Sequence, residues 1–162
     1  EIGHVRLEKD GPVGYGKAGS CEGFCSGGGL AQLGQTFAVK AIADGLAPAY
    51  CPDKASLPSV TAKSVADAAH AGDPTAIEVY RACGRRLGQA LSVLVDLFNP
   101  ERIVIGSVFA RSGDLLIPEM TRVMRDECLS DSLDACEVVP AALTESVGDL
   151  AALTVALIND KS

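Results

Sequence analysis

The strongest hydrophobic pattern lies in the middle of the chain, where apolar side chains recur at spacings of three, four and seven residues. That spacing places them on one face of a helix, and the positions are Ile77, Tyr80, Leu87, Leu91, Leu94 and Phe98. Asp73 is a good N-cap and Pro74 a good first residue, while Asn99-Pro100 ends the pattern. Gly84 and Gly88 adjoin the apolar face and would permit another helix to pack closely. The pattern therefore predicts a long helix with one face in the core.

Weaker helical patterns flank this helix, and two of them carry recognisable ends. Ser26 and Thr61 are suitable N-caps, because a side-chain oxygen can accept a hydrogen bond from the first turn. Gly45 and Gly72 are suited to the position just after a helix. The predicted ranges of these helices, with two further helices downstream, are 26–45, 61–72, 113–129 and 150–158.

Three short apolar runs predict strands, from Ile2 to Leu7, from Ile103 to Ile105 and from Glu137 to Val139. Residues 13–29 are too rich in glycine to predict a regular element, and residues 46–60, which hold three Pro, predict a loop. From the long helix onward the order is helix, strand, helix, strand, helix. That alternation predicts an α/β fold with the apolar strands inside.

The composition narrows the classes of function. The chain has 162 residues, of which 48% are hydrophobic and 22% charged, so it can build a core. Its 14 basic and 21 acidic residues give a net charge of −7, which makes nucleic acid a poor partner for this domain. No apolar run reaches the roughly 18 residues of a membrane span, and no signal peptide is visible. The chain begins at Glu1 rather than Met, and we interpret it as a fragment of a longer protein.

Six cysteines occur along the chain, at positions 21, 25, 51, 83, 128 and 136, and none forms a CxxC pair. Several lie inside apolar helical patterns, where cysteine behaves as a small hydrophobic residue. In the absence of a secretory signal, these patterns predict reduced thiols in a cytoplasmic protein.

Candidate chemistry lies near the start of the chain, in Glu1, His4 and Glu22. Glu1 and His4 are three residues apart, and Glu22 lies in a glycine-rich loop that can fold back toward them. Two carboxylates and an imidazole can bind the vicinal hydroxyls of a sugar, with each charge-assisted hydrogen bond contributing about 1.5–3 kcal/mol. The alternative is a solvated carboxylate and a structural histidine, and the spacing alone favours that alternative.

Three other chemistries remain open from the residues alone. The segment Gly14–Gly19 matches GxGxxG, but a turn precedes it, whereas a dinucleotide site needs a strand before the motif and a helix after it. Cys21 or Cys25 could act as a nucleophile with His4 or His70, although no other feature supports a hydrolase. His4, Cys21 and Cys25 could bind a metal, but a fourth ligand at suitable spacing is missing.

Several motifs together resemble the ROK family of sugar kinases and sugar-responsive repressors. In chain order the matching segments are Glu1-Ile2-Gly3-His4, residues 16–22, Ser26-Gly27, residues 61–65, residues 71–74 and residues 99–106. The resemblance covers nearly the whole chain. It implies an actin-like, ribonuclease-H-like fold with two lobes, in which residues 1–162 are mainly the second, C-terminal lobe and residues 1–29 form a strand and a glycine-rich sugar-site loop.

The resemblance also implies an activity and the residues that serve it. An intact relative would be a cytoplasmic, homodimeric sugar kinase that uses ATP and magnesium, or a repressor that binds sugar without phosphorylating it. The sugar ligands of the family fall on Glu1, His4 and Glu22, which now favours the sugar-binding interpretation of these residues. Gly106 and Ser107 fall where the second lobe approaches the nucleotide.

One departure from the family concerns a structural zinc ion, which family members commonly bind through the motif histidine and three cysteines. Val13, Tyr15 and Ser20 occupy the three cysteine positions, and Cys21 is one residue out of register. Valine and tyrosine supply no thiolate, so the sequence predicts a variant without zinc. We expect packing of Tyr15 and Phe24 to hold the loop instead.

Two further departures concern the nucleotide and the reaction. The family often has a run of glycines where this chain has Gly106-Ser107-Val108, and the two side chains could crowd a nucleoside. The Asp-x-Gly-Gly-Thr phosphate loop and the catalytic Asp of the first lobe do not occur in these 162 residues. Phosphoryl transfer needs a base near the attacking hydroxyl, so no catalytic residue is assigned and the fragment alone is predicted to be inactive.

Overall fold

The computed structural model of the chain describes residues 1–142 and Thr154. The helix predicted over residues 150–158 lies outside this part of the chain, apart from Thr154. The named elements are β1 (Val13–Gly14), β2 (Lys17–Ala18), α1 (Cys21–Cys25), α2 (Gly27–Ala43), α3 (Ala62–His70), α4 (Pro74–Phe98), β3 (Arg102–Ile105), α5 (Ser107–Glu127), α6 (Ser130–Asp134) and β4 (Glu137–Pro140), with short 3₁₀ helices at Ile2–His4 and Lys54–Ser59.

The predicted ends of the central helices are confirmed. Ser26, Thr61 and Asp73 each accept a hydrogen bond from the backbone N–H three residues further on, at 2.9–3.0 Å. These bonds satisfy N–H groups that the first turn of a helix leaves without a partner. Asn99 ends α4 in the left-handed conformation, with φ of 45°. The polar residues at the helix ends therefore set the boundaries of α2, α3 and α4.

Packing of α4 against α5 forms the largest helix pair of the described chain, and two glycines make it possible. A β-carbon on Gly84 would lie 2.7 Å from the carbonyl oxygen of Leu116, and one on Gly88 would lie 2.8 Å from that of Met120. Backbone atoms cannot move aside as a side chain can, so only glycine permits this approach. The close helix packing predicted from these glycines is confirmed. Of the described helices, none is long and apolar enough to cross a membrane.

The sheet beside this helix pair differs from the prediction in its burial. Strands β3 and β4 are parallel, with Ile103 opposite Val138. Ile103 and Ile105 are half-buried and pack on the core, whereas Val104 between them is 59% exposed. The prediction that the apolar strands lie inside is therefore wrong for one face. Alternate residues of a strand point to opposite sides, and within the described residues only the helical side of this sheet is covered.

The strand predicted from Ile2 to Leu7 is also wrong. Residues Ile2–His4 form a 3₁₀ turn, closed by hydrogen bonds from His4 N–H to the Glu1 carbonyl at 3.2 Å and from Val5 N–H to the Ile2 carbonyl at 3.0 Å. The apolar residues here are spaced by three and then two, which does not match the two-residue period of a strand. Among the described residues, pairing in this segment is limited to a bridge between Arg6 and Ser20.

Residues 13–29 contain regular elements that the sequence did not predict, namely the hairpin β1–β2, helix α1 and the start of α2. Gly16 and Gly19 adopt positive φ values of 73° and 68°, as the turns around β2 require. Gly23 and Gly29 lie inside helices, where a β-carbon on Gly29 would overlap the carbonyl oxygen of Gly23. These last two glycines allow two helices to touch, so the glycine content did not indicate an irregular segment.

Two smaller corrections apply further along the chain. The predicted loop at 46–60 includes the 3₁₀ helix, capped by the Asp53 side chain, which accepts a hydrogen bond from Ser56 N–H at 2.9 Å. The helix predicted from residue 113 begins at Ser107, and non-helical angles at Ser112 (φ −143°, ψ 33°) separate its first turn from the rest. The periodicity detected only the part of α5 beyond that kink.

Candidate functional site

A cavity of about 520 Å³ lies where α1, α4, β3 and the start of α5 meet. Its wall includes Gly3 and Glu22 as well as Gly106 and Ser107. The apolar part of the wall is formed mainly by Leu87, Ala90, Leu91, Leu94, Ile105 and Phe109. One cavity therefore contacts both the residue predicted to bind sugar and the residues predicted to bind nucleotide. The walls do not include Glu1 and His4.

Glu22 is held in place by the start of α1. The buried Ser20 hydroxyl accepts a hydrogen bond from Gly23 N–H at 3.0 Å and caps the helix, so Glu22 projects from its first turn. Gly3 lies against this side chain, because a β-carbon on Gly3 would be 3.6 Å from Oε2 of Glu22. Glycine at this position keeps a second side chain out of the space around the carboxylate.

Glu1 and His4 lie at the two ends of the 3₁₀ turn, and both are exposed. The turn packs against α1, which carries Glu22, so the three predicted sugar ligands belong to neighbouring elements. The His4 ring stacks on Tyr15 with centroids 5.2 Å apart and an angle of 20° between planes. Lys17 Nζ donates a 2.7 Å hydrogen bond to the His4 carbonyl and ties the turn to β2. No pattern in the sequence indicated this role of Lys17.

The residues at the family's zinc positions have other roles here, and they do not fit a zinc ion. The Ser20 hydroxyl caps α1, and Val13 offers only an isopropyl group. Of the two residues expected to hold the loop by packing, Phe24 is buried, whereas Tyr15 is 74% exposed and packs only through its stack on His4 among the contacts described. Within residues 1–142 and Thr154, no group of three or more His, Cys, Asp or Glu side chains is arranged to hold a metal ion.

The predicted nucleotide end has an unusual backbone. Gly106 precedes α5, and Ser107 begins the helix with φ of 53°, in the left-handed region that costs a non-glycine residue about 1–2 kcal/mol. Ser107 is exposed, whereas Val108 is turned inward and buried. Both residues line the cavity, so crowding of a nucleoside by their side chains stays a prediction.

Three thiols line the same cavity, although their positions in the sequence did not indicate that they would meet. Cys21, Cys25 and Cys83 come from α1 and α4, and each is a free thiol. A hydrogen bond with Cys25, and then burial, raises the pKa of the Cys21 thiol. The bond with Cys21 acts to lower the pKa of Cys25, but the bond to Cys83 and burial outweigh it and raise that pKa. A nucleophilic cysteine needs a lowered pKa, so these groups do not support a hydrolase.

A second cavity of about 480 Å³ opens beside the kink in α5. Its polar wall residues are Lys63, Asp67, His70, Tyr80, Arg111 and Ser112. His70 Nε2 lies 2.8 Å from Oδ2 of Asp114, which fixes the imidazole at the rim. Val108 borders both cavities, so the start of α5 separates them. The residues of this cavity come from three helices and share no motif, so no sequence pattern indicated it.

The comparison with known sequences identifies the relatives. The sequence model of the ROK family matches residues 1–158. A glucokinase from Halalkalibacterium halodurans is 32% identical over 150 residues, which cover 91% of this chain and 44% of the relative. The DNA-binding transcriptional dual regulator NagC from Escherichia coli is 27% identical over 161 residues, which cover 98% of this chain and 38% of the relative. The chain thus spans less than half the length of these two curated relatives.

Comparison with solved structures also finds proteins of the ROK family. A ROK family glucokinase from Streptomyces griseus, in complex with glucose and AMPPNP, aligns with a TM-score of 0.74 at 26% identity, over 91% of this chain and 48% of that chain. The fold is therefore the α/β, actin-like ATPase fold of the ROK sugar kinases. The family model covers nearly the whole chain, and both a glucokinase and a transcriptional regulator match it, so what these relatives share is the family. The chain belongs to the ROK family.

Proposed function

We propose that this chain is the C-terminal lobe of a ROK-type kinase that transfers the γ-phosphoryl group of ATP to a hexose or N-acetylhexosamine. The observation that carries the proposal is that Glu22, Gly106 and Ser107 all line the same cavity. A phosphoryl-transfer site needs its two substrates side by side. A 520 Å³ cavity is within the usual size range of small-molecule sites.

Each residue has a definite part in this proposal. Glu22 and Glu1 accept hydrogen bonds from ring hydroxyls, and His4 supplies a further polar contact beside them. Gly106 permits the nucleoside to approach the backbone, with Ser107 at the rim. ATP supplies the phosphoryl group and enters as its magnesium complex, and no residue of this chain is assigned to the magnesium ion. The base that deprotonates the sugar hydroxyl belongs to the other lobe, so the 162-residue chain alone is expected to show no turnover.

A second candidate is the sugar-sensing domain of a ROK repressor, which binds sugar without phosphorylating it. Ser107 favours this candidate, because its left-handed backbone and exposed side chain stand at the nucleotide end. The similarity to NagC also supports it. The chain itself is acidic, so DNA binding would require a separate module. For either candidate we propose a cytoplasmic homodimer.

A coupled kinase assay of the full-length protein over a panel of hexoses and N-acetylhexosamines tests the proposal. Turnover of at least one sugar, in a preparation free of contaminating kinase, is the expected result. Calorimetric titration with the same sugars runs in parallel. Sugar binding without turnover would favour the repressor, and absence of both binding and turnover would contradict both candidates.

A further inference from the structure

We propose that Gln32 and Arg86 are positioning residues for the sugar site, and that they hold its loop without any metal ion. The loop is the segment 8–22, which includes the hairpin β1–β2 and ends at Glu22. The inference rests on the proposed sugar-binding function, although the attachment of the loop can be tested separately. Neither Gln32 nor Arg86 lines the cavity, so any effect on sugar binding must pass through the loop.

The side-chain amide of Gln32, in α2, forms two hydrogen bonds with the backbone of Val13. Its Oε1 accepts a hydrogen bond from Val13 N–H at 2.8 Å, and its Nε2 donates one to the Val13 carbonyl at 3.0 Å. The amide thereby pairs with the main chain as a neighbouring strand would. The Val13 side chain itself is 49% exposed. The attachment at this position is therefore made through the backbone, where a zinc-binding relative would use a thiolate side chain.

Arg86 of α4 contacts the first residue of the loop and a residue just beyond its end. Its Nη2 forms an ion pair with Oε1 of Glu8 at 2.6 Å, where the loop begins. Its guanidinium carbon lies 5.5 Å from the centre of the Phe24 ring, two residues beyond Glu22. Phe24 is buried, and a β-carbon on Gly11 would lie 2.5 Å from its ring, so the loop closes directly over that ring.

The Gln32 and Arg86 contacts affect the residues of the site through backbone hydrogen bonds of the loop. Gly19, in the loop, accepts hydrogen bonds from Leu7 and Glu8 N–H at 2.8 and 3.1 Å, and Cys21 N–H donates to the Val5 carbonyl at 2.8 Å. These bonds tie the loop to the segment that follows His4. Displacement of the loop would thus move Glu22 and the 3₁₀ turn relative to α4. Binding that depends on several aligned hydrogen bonds is sensitive to such a shift.

The test compares a variant of each positioning residue with a control variant of a similar residue on the same helix. Gln32→Leu removes both amide bonds, and Gln35→Leu is its control, because Gln35 is also half-buried on α2 but donates to the Leu57 carbonyl at 3.1 Å. Arg86→Met removes the ion pair and the ring contact. Arg85→Met is the control for it, since Arg85 faces Glu119 at 3.8 Å, away from the loop.

Three measurements are made on the full-length protein: amide hydrogen exchange of residues 8–22, calorimetric titration with D-glucose and N-acetyl-D-glucosamine, and thermal unfolding. We expect Gln32→Leu to speed exchange at Val13 and to weaken sugar binding, each by about tenfold, as for the loss of one to two hydrogen bonds. Arg86→Met should act similarly, and Arg86→Lys, which keeps the charge, should restore part of the affinity. Both controls should leave loop exchange and affinity unchanged even where they lower the melting temperature. Chelation with EDTA should change none of the three.

Several results would overturn the proposal. If amide exchange at Val13 is as slow in Gln32→Leu as in the wild type, the Gln32 hydrogen bonds do not hold the loop. If exchange becomes faster but sugar affinity is unchanged, the two residues do not position the sugar site. If the protein contains stoichiometric zinc and EDTA changes the exchange, a metal ion holds the loop. If the wild type binds neither sugar, the proposed function fails, while the exchange data still decide whether Gln32 and Arg86 hold the loop.

Discussion

The helix pair α4–α5 and the loop of residues 8–22 are held by different kinds of contact. The helices meet through buried apolar side chains and through the close approach at Gly84 and Gly88. The loop is held mainly by hydrogen bonds to backbone groups, by an ion pair and by the stack on the Phe24 ring. Apolar burial is non-directional, whereas hydrogen bonds fix geometry. We infer that the helix pair carries most of the stability and that the loop carries the precision of the site.

The largest expected effect comes from removing a large apolar side chain from the helical core. Leu91 is 4% exposed on α4, so Leu91→Ala should lower the free energy of unfolding by about 2–5 kcal/mol. Val13→Ala in the loop should change it by less than about 0.5 kcal/mol, because half of that side chain is already in solvent. Chemical denaturation measures both. Equal effects from the two variants would mean that the loop contributes as much stability as the core.

The reverse test removes a charge from the loop. Glu22→Gln keeps the size of the side chain, and we expect sugar affinity in the full-length protein to fall by about 1.5–3 kcal/mol with little change in stability. Asp10→Asn is the control, since Asp10 is exposed on the same loop but does not line the cavity. Calorimetric titration gives the affinities. Unchanged affinity for Glu22→Gln would remove this carboxylate from the site.

A third test probes the contact between the helices. Gly88→Ala places a β-carbon 2.8 Å from the Met120 carbonyl oxygen, so it should destabilise the fold by about 1–3 kcal/mol. Gly113→Ala in α5 meets only ordinary contacts at 3.8 Å and should stabilise it by about 0.5–1 kcal/mol through helix propensity. Denaturation curves of the two variants should therefore shift in opposite directions. A stabilising Gly88→Ala would show that α5 can move away from α4 at no cost.

The smallest expected effect concerns alkaline pH. Burial, as the largest cause, raises the pKa of Tyr80 above its ordinary value of 10.0. A raised folded-state pKa means that stability is complete below pH 10.0 and falls as the pH rises toward the folded-state pKa. Tyr80→Phe cannot ionise, so its stability should decline less above pH 10.0 than that of the wild type. Parallel denaturant titrations from about pH 8 to about pH 11 run from about two units below the ordinary pKa to about one unit above it, and equal slopes would contradict the burial of Tyr80.

The same contrast explains what the sequence could predict. Periodicity and caps identified α4 from Asp73 to Asn99, because those signals depend on neighbours along the chain. They could not show that Gly29 touches Gly23, or that Gln32 reaches Val13, since those contacts depend on the angle and distance at which separate elements meet. Resemblance to a family singled out Glu22 and Gly106, which the structure brings to one cavity. The roles of Glu1, His4 and Glu22 in sugar binding stay predictions.

Positions 84, 86 and 88 of α4 determine how the loop and α5 are placed relative to each other. Gly84 and Gly88 set the distance to α5, which begins at Ser107, while Arg86 anchors the loop. Residues two apart on a helix point about 200° from each other, so these contacts lie on nearly opposite sides of one turn. The loop that ends at Glu22 and the helix that begins at Ser107 therefore both pack on the same turn of α4. A bend in α4 at this turn would shift the loop relative to α5 even if each kept all of its own contacts.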